Sequence, residues 1–236
     1  MTELELRQKY VKAFADLVGK CAEGSANHKA LLDTYNTLKP LPRGAKMLES
    51  YDWCACTVTA LAMRCGLADI FAKECSCTKQ IEQWKSMGAW IENDAYVPKL
   101  GDIIYYAWSD GTNYKTTDFN NDVDHVGVVE KVENGYIYAI EGNKGNNVNR
   151  RTIAINGRYI RGFAVPKYAK LAVEENSASK FKDIAESGYK ADIEWAASLG
   201  IANGYADGTF KPNEPCTRGQ MCAFLYRLYK AIKEDK

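Results

Sequence analysis

Residues 124–143 read DHVGVVEKVENGYIYAIEGN. Both halves are rich in Val, Ile and Tyr, and Asn134–Gly135 lies between them, a strong short-range signal for a β-hairpin. Strands over 125–132 and 136–141 follow, and their register decides which side chains meet. With a two-residue Asn134–Gly135 turn, Glu133 faces Tyr136 and Glu141 faces Val128, on the opposite face from His125. A three-residue loop with Gly135 left-handed pairs Val132 with Tyr136 instead. Gly127 then faces Glu141, His125 faces Asn143, and the polar groups share one face. A working His–Glu pair needs the second arrangement, so a bulged hairpin is expected.

Outward from the hairpin, residues 102–107, 151–155 and 159–165 have the same Ile/Val/Tyr-rich character, broken by Gly, Asn and Asp clusters. They predict a meandering antiparallel sheet. Residues 108–122 are too polar for a core and read as a long loop near the cleft. Upstream the period changes to a helical one. Thr2 and Glu5 form a capping box ahead of a stripe of Leu4, Tyr10, Val11, Phe14 and Val18. Further helices are expected over 25–38, from Trp53 to a stop at Gly66, and over 78–86. Helices first and strands afterwards imply an α+β domain in which the helix that begins near Cys54 packs on the antiparallel sheet.

Cys54 opens that helix in YDWCACTVTALAMRCG. A thiol at a helix N-terminus feels the partial positive charge of the aligned peptide dipoles, which favours thiolate. The free N–H groups of the first turn can also stabilise an oxyanion. His125, one of only two histidines, is the candidate base, and Glu141 the group that orients it. An exposed helix start is expected for the thiol. The pairs Cys54/Cys56 and Cys75/Cys77 invite a zinc reading. One intervening residue is too few for the usual pair, and on one helix Cys54 and Cys56 point apart. Cys21, Cys65, Cys216 and Cys222 read as small buried hydrophobes on helical faces. No metal or cofactor is expected.

DWCACTV at Cys54, GDIIYY from Gly101, DHVGVVEKV at His125 and EGN from Glu141 together resemble a CHAP domain, the cysteine- and histidine-dependent amidohydrolase/peptidase group related to NlpC-type and papain-like enzymes. The resemblance implies a catalytic triad of Cys54, His125 and Glu141, with Asn143 as a fourth polar member. It also implies cleavage of amide bonds in peptidoglycan peptides through a thioester. Some phage members carry an Asp-rich calcium loop before the cysteine. This chain reads GAKMLESYDW there, so no structural calcium is expected. Trp53, Trp90 and Trp108 either line a substrate groove or pack in the core and its rim.

Residues 169–180 are small and polar and read as a linker between a catalytic domain over 1–168 and a second unit over 181–232. FKDI at Phe181, GYADGTFKP at Gly204 and TRGQ at Thr217 resemble one S-layer homology repeat, with helices over 191–199 and from Thr217. A small all-α unit is implied, along with non-covalent binding to a secondary cell-wall polysaccharide. Arg218 is the candidate contact for an anionic sugar substituent and Asp207 a second one. TRGQ departs from the usual TRAE. Such repeats usually come in threes around a pseudo-threefold axis. One repeat, with Trp195, Phe224, Leu225, Tyr226, Leu228 and Tyr229 spread over more than one side of its helices, implies a homo-trimer.

Composition excludes several other classes. Of 236 residues, 46% are hydrophobic and 26% charged, and the formal net charge of +1 leaves no basic excess for nucleic acid. No apolar run reaches the roughly 20 residues of a membrane span. The first residues, MTELELRQKYVKAF, lack a signal-peptide core. Action at the cell wall then follows phage-type release, as in an endolysin, or removal of a signal, as in an autolysin. A non-catalytic wall or S-layer-associated binding protein is the rival that needs no thiol, and a zinc-binding adaptor is the rival that needs the cysteine pairs.

Overall fold

The structure is a computed structural model describing residues 1–44, 46–93, 95–108, 123–172 and 180–234. The chain divides into two compact units, Met1–Glu174 and Glu175–Lys236. The first holds α1 (Glu3–Ala15), α2 (Ala26–Asn36), α3 (Cys54–Arg64) and α4 (Cys77–Ser86). Its strands are β1 (Trp90–Ile91), β2 (Ile103–Tyr106), β3 (His125–Glu133), β4 (Tyr136–Glu141), β5 (Asn149–Ala154) and β6 (Ile160–Ala164). All pairings are antiparallel and the strand order is β1-β6-β2-β3-β4-β5. The expected meander therefore covers only β2 to β5. β6 crosses back to lie against β2, and the two-residue strand β1, which the sequence reading missed, closes that edge.

Three of the first unit's four described α-helix starts have a local cause. Thr2 and Glu5 form the expected capping box on α1, and Ser25 and Ser76 accept backbone N–H bonds at the starts of α2 and α4. The buried stripe of α1 is Leu6, Tyr10, Val11 and Phe14, while Leu4 is exposed. α3 is buried on all sides from Cys54 to Ala62, as a central helix between other helices and a sheet must be. The sheet is apolar on both faces. Ile103, Tyr105, Val126, Val128, Ile140 and Ala164 join the core shared with the helices. Ile104, Tyr106, Val129, Ile137, Ala139, Ile160 and Phe163 form a second cluster.

The hairpin corrects one expectation. Asn134 (φ 51°) and Gly135 (φ 80°) are both left-handed, and Glu133 pairs with Tyr136. This is the two-residue turn that Asn-Gly favours, not the three-residue loop. The register shifts instead inside the strand, between Val129 and Lys131. That bulge keeps both Val129 and Val132 against the second cluster and sets Val128 against Ile140. The required register at the His125 end is reached, but by a bulge in β3.

The second unit carries α5 (Lys190–Ser198) and α6 (Arg218–Glu234). Phe181, Ile184 and Ile193 form its buried cluster. Asp183 accepts backbone N–H bonds from Phe210 and Lys211, both at 2.8 Å, which ties FKDI to GTFKP. A side chain at Gly204 (φ +66°) would collide with the Phe181 ring. Thr217 and Gln220 form a reciprocal capping box on α6, with Gln220 N to Thr217 Oγ1 at 3.2 Å and Thr217 N to Gln220 Oε1 at 2.8 Å. Glutamine serves that motif as well as glutamate, which gives TRGQ a physical reason. Cys216 and Cys222 are exposed, contrary to expectation, because this small unit has too little interior to cover them.

Candidate active site

Of α1 to α4, α3 alone has an N-terminus without a side-chain cap; its cap residue, Trp53, makes no such bond. The N–H groups of its first turn are thus left for another acceptor. Cys54 is its first residue and is 5% exposed, not the open helix start expected. The start of α4 covers it, with Cys77 Sγ 3.7 Å from Cys54 Sγ. That contact rests on buried hydrogen bonds. Gln80 Nε2 donates to Ala55 O at 2.9 Å, to Thr59 Oγ1 at 3.0 Å and to Glu74 O at 2.8 Å. Gln80 Oε1 accepts from the Tyr105 hydroxyl at 2.8 Å, which accepts from Trp84 Nε1 at 2.7 Å. α4, α3 and β2 are locked together through one amide side chain.

His125 begins β3 and Glu141 ends β4. Nε2 of His125 lies 3.0 Å from Glu141 Oε2, which leaves Nδ1 to exchange a proton with the thiol. The other carboxylate oxygen, Oε1, accepts from Arg151 Nε at 2.6 Å. Arg151 also stacks over Trp108 at 4.7 Å and Tyr106 at 5.2 Å. It lies on β5 opposite Ala139, two residues from Glu141 and so on the same face. Sequence reasoning missed Arg151, since the connection from β4 to β5 has no turn chemistry that sets a register. It also missed Cys77 and Gln80, whose partners are distant in sequence.

Charges follow from these contacts. The Cys54 thiol is lowered from its ordinary value, first by the bond from Cys77, then, against the cost of burial, by His125 and the Ala55 N–H. Cys77 is pushed the other way, by donating to Cys54 and by burial. Burial alone would lower His125, but its interactions with Cys54 and Glu141 raise it to about 9. Burial alone would raise Glu141, but bonds from His125 and Arg151 hold it below the ordinary carboxylate value. A thiolate beside an imidazolium, backed by a carboxylate, is the ground state this geometry favours.

Asn143 is left-handed (φ 57°) and donates from Nδ2 to Asp52 Oδ1 at 2.9 Å. It lines an open pocket of about 480 Å³ with Trp108, His125, Lys144, Arg151 and Tyr159. It thus joins the site at its rim. Trp53 is buried and Trp90 half-buried, so of the three tryptophans only Trp108 lines this pocket. The rest of the expected loop, residues 109–122, and residues 173–179 of the expected linker lie outside the described residues. In the second unit Asp207 accepts from Thr209 N and Oγ1 at 3.0 and 2.7 Å, and Arg218 is exposed at the start of α6. A cavity of about 310 Å³ there is lined by Tyr205, Phe210, Lys211, Gln220 and Arg227 among others, and by neither Asp207 nor Arg218.

The CHAP domain family matches residues 47–143, and the S-layer homology domain matches residues 180–222. The chain carries a CHAP domain followed by an S-layer homology domain. No curated protein matches. Among solved structures the chain is similar to two crystal structures of Ly7917, one of them with the hydrolyzing product of MDP. Each is 12% identical, with TM-scores of 0.39 and 0.40, and covers 68% of this chain. The chain spans 62% of the length of those chains. Among the described residues, no helix is long and apolar enough to cross a membrane, and no group of three or more His, Cys, Asp or Glu is placed to hold a metal ion.

Gly127 links the CHAP domain's fold to its site. A Cβ there would sit 2.6 Å from Glu141 Cγ and 3.0 Å from Ile140 O. Gly127→Ala is expected to push Glu141 away from His125 and slow turnover by roughly 10²-fold, the effect of an ångström-scale misplacement. Steady-state kinetics alongside a thermal melt check this: a folded variant with unchanged turnover would mean that Glu141 need not sit where it does.

Proposed function

We propose that the chain is a peptidoglycan hydrolase that cleaves an amide bond of cell-wall peptides through Cys54, His125 and Glu141. The observation that carries this reading is the continuous contact from Cys77 and Cys54 through His125 to Glu141 and Arg151, at an uncapped helix start. The Cys54 thiolate attacks the amide carbon, and the first-turn N–H groups of α3 receive the oxyanion. The His125 imidazolium protonates the leaving amine, and a thioester remains on Cys54. His125, now neutral, takes a proton from water, which hydrolyses the thioester and restores the thiolate. Glu141 holds the ring by Nε2 and balances its charge, Arg151 fixes Glu141, and Asn143 shapes the rim. An N-acetylmuramoyl-L-alanine amidase and a peptide endopeptidase would use the same groups. Mass spectrometry of peptidoglycan fragments tests the reading. A new free amine and carboxylate in the peptide fraction is the expected product, and intact stem peptides would overturn it.

Arrival at the wall by phage-type release or after removal of a signal, and wall binding by the second unit, complete the proposal. That unit is read as an all-α S-layer homology repeat over 181–232, joined to the catalytic domain over 1–168 by a linker at 169–180. Arg218 and Asp207 remain the proposed polysaccharide contacts. Assembly into a trimer is supported by exposed Trp195, Met221, Leu225, Tyr226 and Ile232, an apolar surface that a lone repeat leaves in water. Light scattering at micromolar concentration is expected to give three chains for the full-length protein and one after truncation at Tyr168. A full-length monomer would end the trimer proposal.

A further inference from the structure

Hydrolysis by Cys54 does not call for a second thiol, yet one is held against it. Cys77 is the first residue of α4, is buried, and places its Sγ 3.7 Å from the Cys54 sulfur. Its position is built into the fold: Gln80, one turn along the same helix, bonds the carbonyl of Ala55, the residue next to Cys54. The neighbouring thiols are placed differently. Cys56 is fully buried on α3, and Cys75 Sγ accepts from Arg43 Nη2 at 3.3 Å. Cys54 combines an activated sulfur with a facing thiol.

We propose that Cys54 and Cys77 form a redox pair, an oxidative modification site at which a peroxide converts the nucleophile into a reversible intramolecular disulfide. In the first step the Cys54 thiolate attacks one peroxide oxygen. A sulfur–oxygen bond forms, the O–O bond breaks, and the departing hydroxide takes a proton to leave as water; sulfur gives two electrons to the peroxide. In the second step the Cys77 thiol, giving up its proton, attacks the sulfenic sulfur of Cys54. The sulfur–sulfur bond forms, the sulfur–oxygen bond breaks, and the released hydroxide with that proton leaves as a second water. Two thiols and one peroxide thus become one disulfide and two waters. Two equivalents of a small thiol reverse it by exchange, emerging as their own disulfide. The sulfurs must close from 3.7 Å to about 2 Å, a movement on the scale of side-chain rotation. The pairing also protects the nucleophile, because a sulfenic sulfur captured as disulfide does not proceed to the irreversible sulfinic acid.

The loss of hydrolysis that this implies rests on the reading of Cys54 as the nucleophile; the disulfide itself does not. The full-length chain is treated with hydrogen peroxide, free thiols are capped with N-ethylmaleimide, and unreduced tryptic peptides are sequenced by mass spectrometry. One cross-link is expected between peptides 47–64 and 74–79, with fragment ions placing it at Cys54 and Cys77. Peptidoglycan lysis is expected to fall in step with the cross-link and return with dithiothreitol. In Cys77→Ser, Cys54 is expected to run on to sulfinic acid, and the fraction of activity recovered by dithiothreitol to drop about tenfold. Should that variant fold poorly, the cross-link in the unaltered protein decides alone. A Cys54 sulfinic acid beside capped Cys77 in the unaltered protein, or a link at Cys56 and Cys75, overturns the redox pair. A Cys54–Cys77 disulfide that leaves lysis unchanged supports the pair and overturns the nucleophile assignment.

Discussion

Cys54→Ala and Cys54→Ser are each expected to lower peptidoglycan lysis by roughly 10⁴-fold or more, because the other thiol at the site, Cys77, is buried at the start of α4 and not at the uncapped start of α3. The fold should survive. Cys54 is buried, so the alanine variant loses packing on the scale of one methylene, about 1 kcal/mol, and its thermal midpoint should move by only a few degrees. Replacing Cys21, Cys65, Cys75 or Cys222 one at a time should spare most of the activity. Lysis assays and melts on the same preparations separate the two effects. Full lysis by Cys54→Ala would remove the cysteine-hydrolase reading and favour a wall-binding protein without catalysis.

His125→Ala should be as damaging as loss of the thiol, since the two act as one unit. Glu141→Gln should slow turnover by roughly 10²-fold, the low end of what a positioned base contributes. It keeps the ring's neighbour but removes the charge that favours imidazolium. The pH dependence gives the sign. Activity requires the thiolate, so it should fall with acid only below the ordinary thiol range, where Cys54 takes up a proton. It also requires the imidazolium, so it should fall again as pH rises past about 9. Glu141→Gln should move that alkaline limb to lower pH, because the raised His125 value depends partly on the carboxylate. An alkaline limb that stays in place would show that Glu141 does not act on His125.

Local chemistry made much of this legible in the sequence. The Thr2–Glu5 box, the Val- and Tyr-rich strands and the position of a turn at Asn134–Gly135 are each set by neighbouring residues. What was not legible depends on contacts distant along the chain. The bulge in β3 arises because Val129 and Val132 both pack on one face of the sheet, and no residue there announces it as a glycine would. Cys77 meets Cys54 across contacts such as that of Gln80 with Ala55, 25 residues apart. Arg151 reaches Glu141 only once β5 has its register. The approach of His125 to Glu141, 3.0 Å apart, was expected, with the extra residue assigned to the wrong place.

The strand order bears on how such a protein can be cut and recombined. β6 comes last along the first unit but sits between β1 and β2, beyond the end of the 47–143 match. At the other end Arg7 of α1 donates to Leu100 O at 2.8 Å and to buried Asp102 at 2.9 Å, and stacks on Tyr168. Excising the matched segment would strand β1, bare one side of β2 and leave the Asp102 carboxylate buried without its cation. The catalytic module that can be transplanted, or fused to a different wall-binding unit, is therefore the whole of residues 1–172, with its cut made after Tyr168 and its short terminal turn.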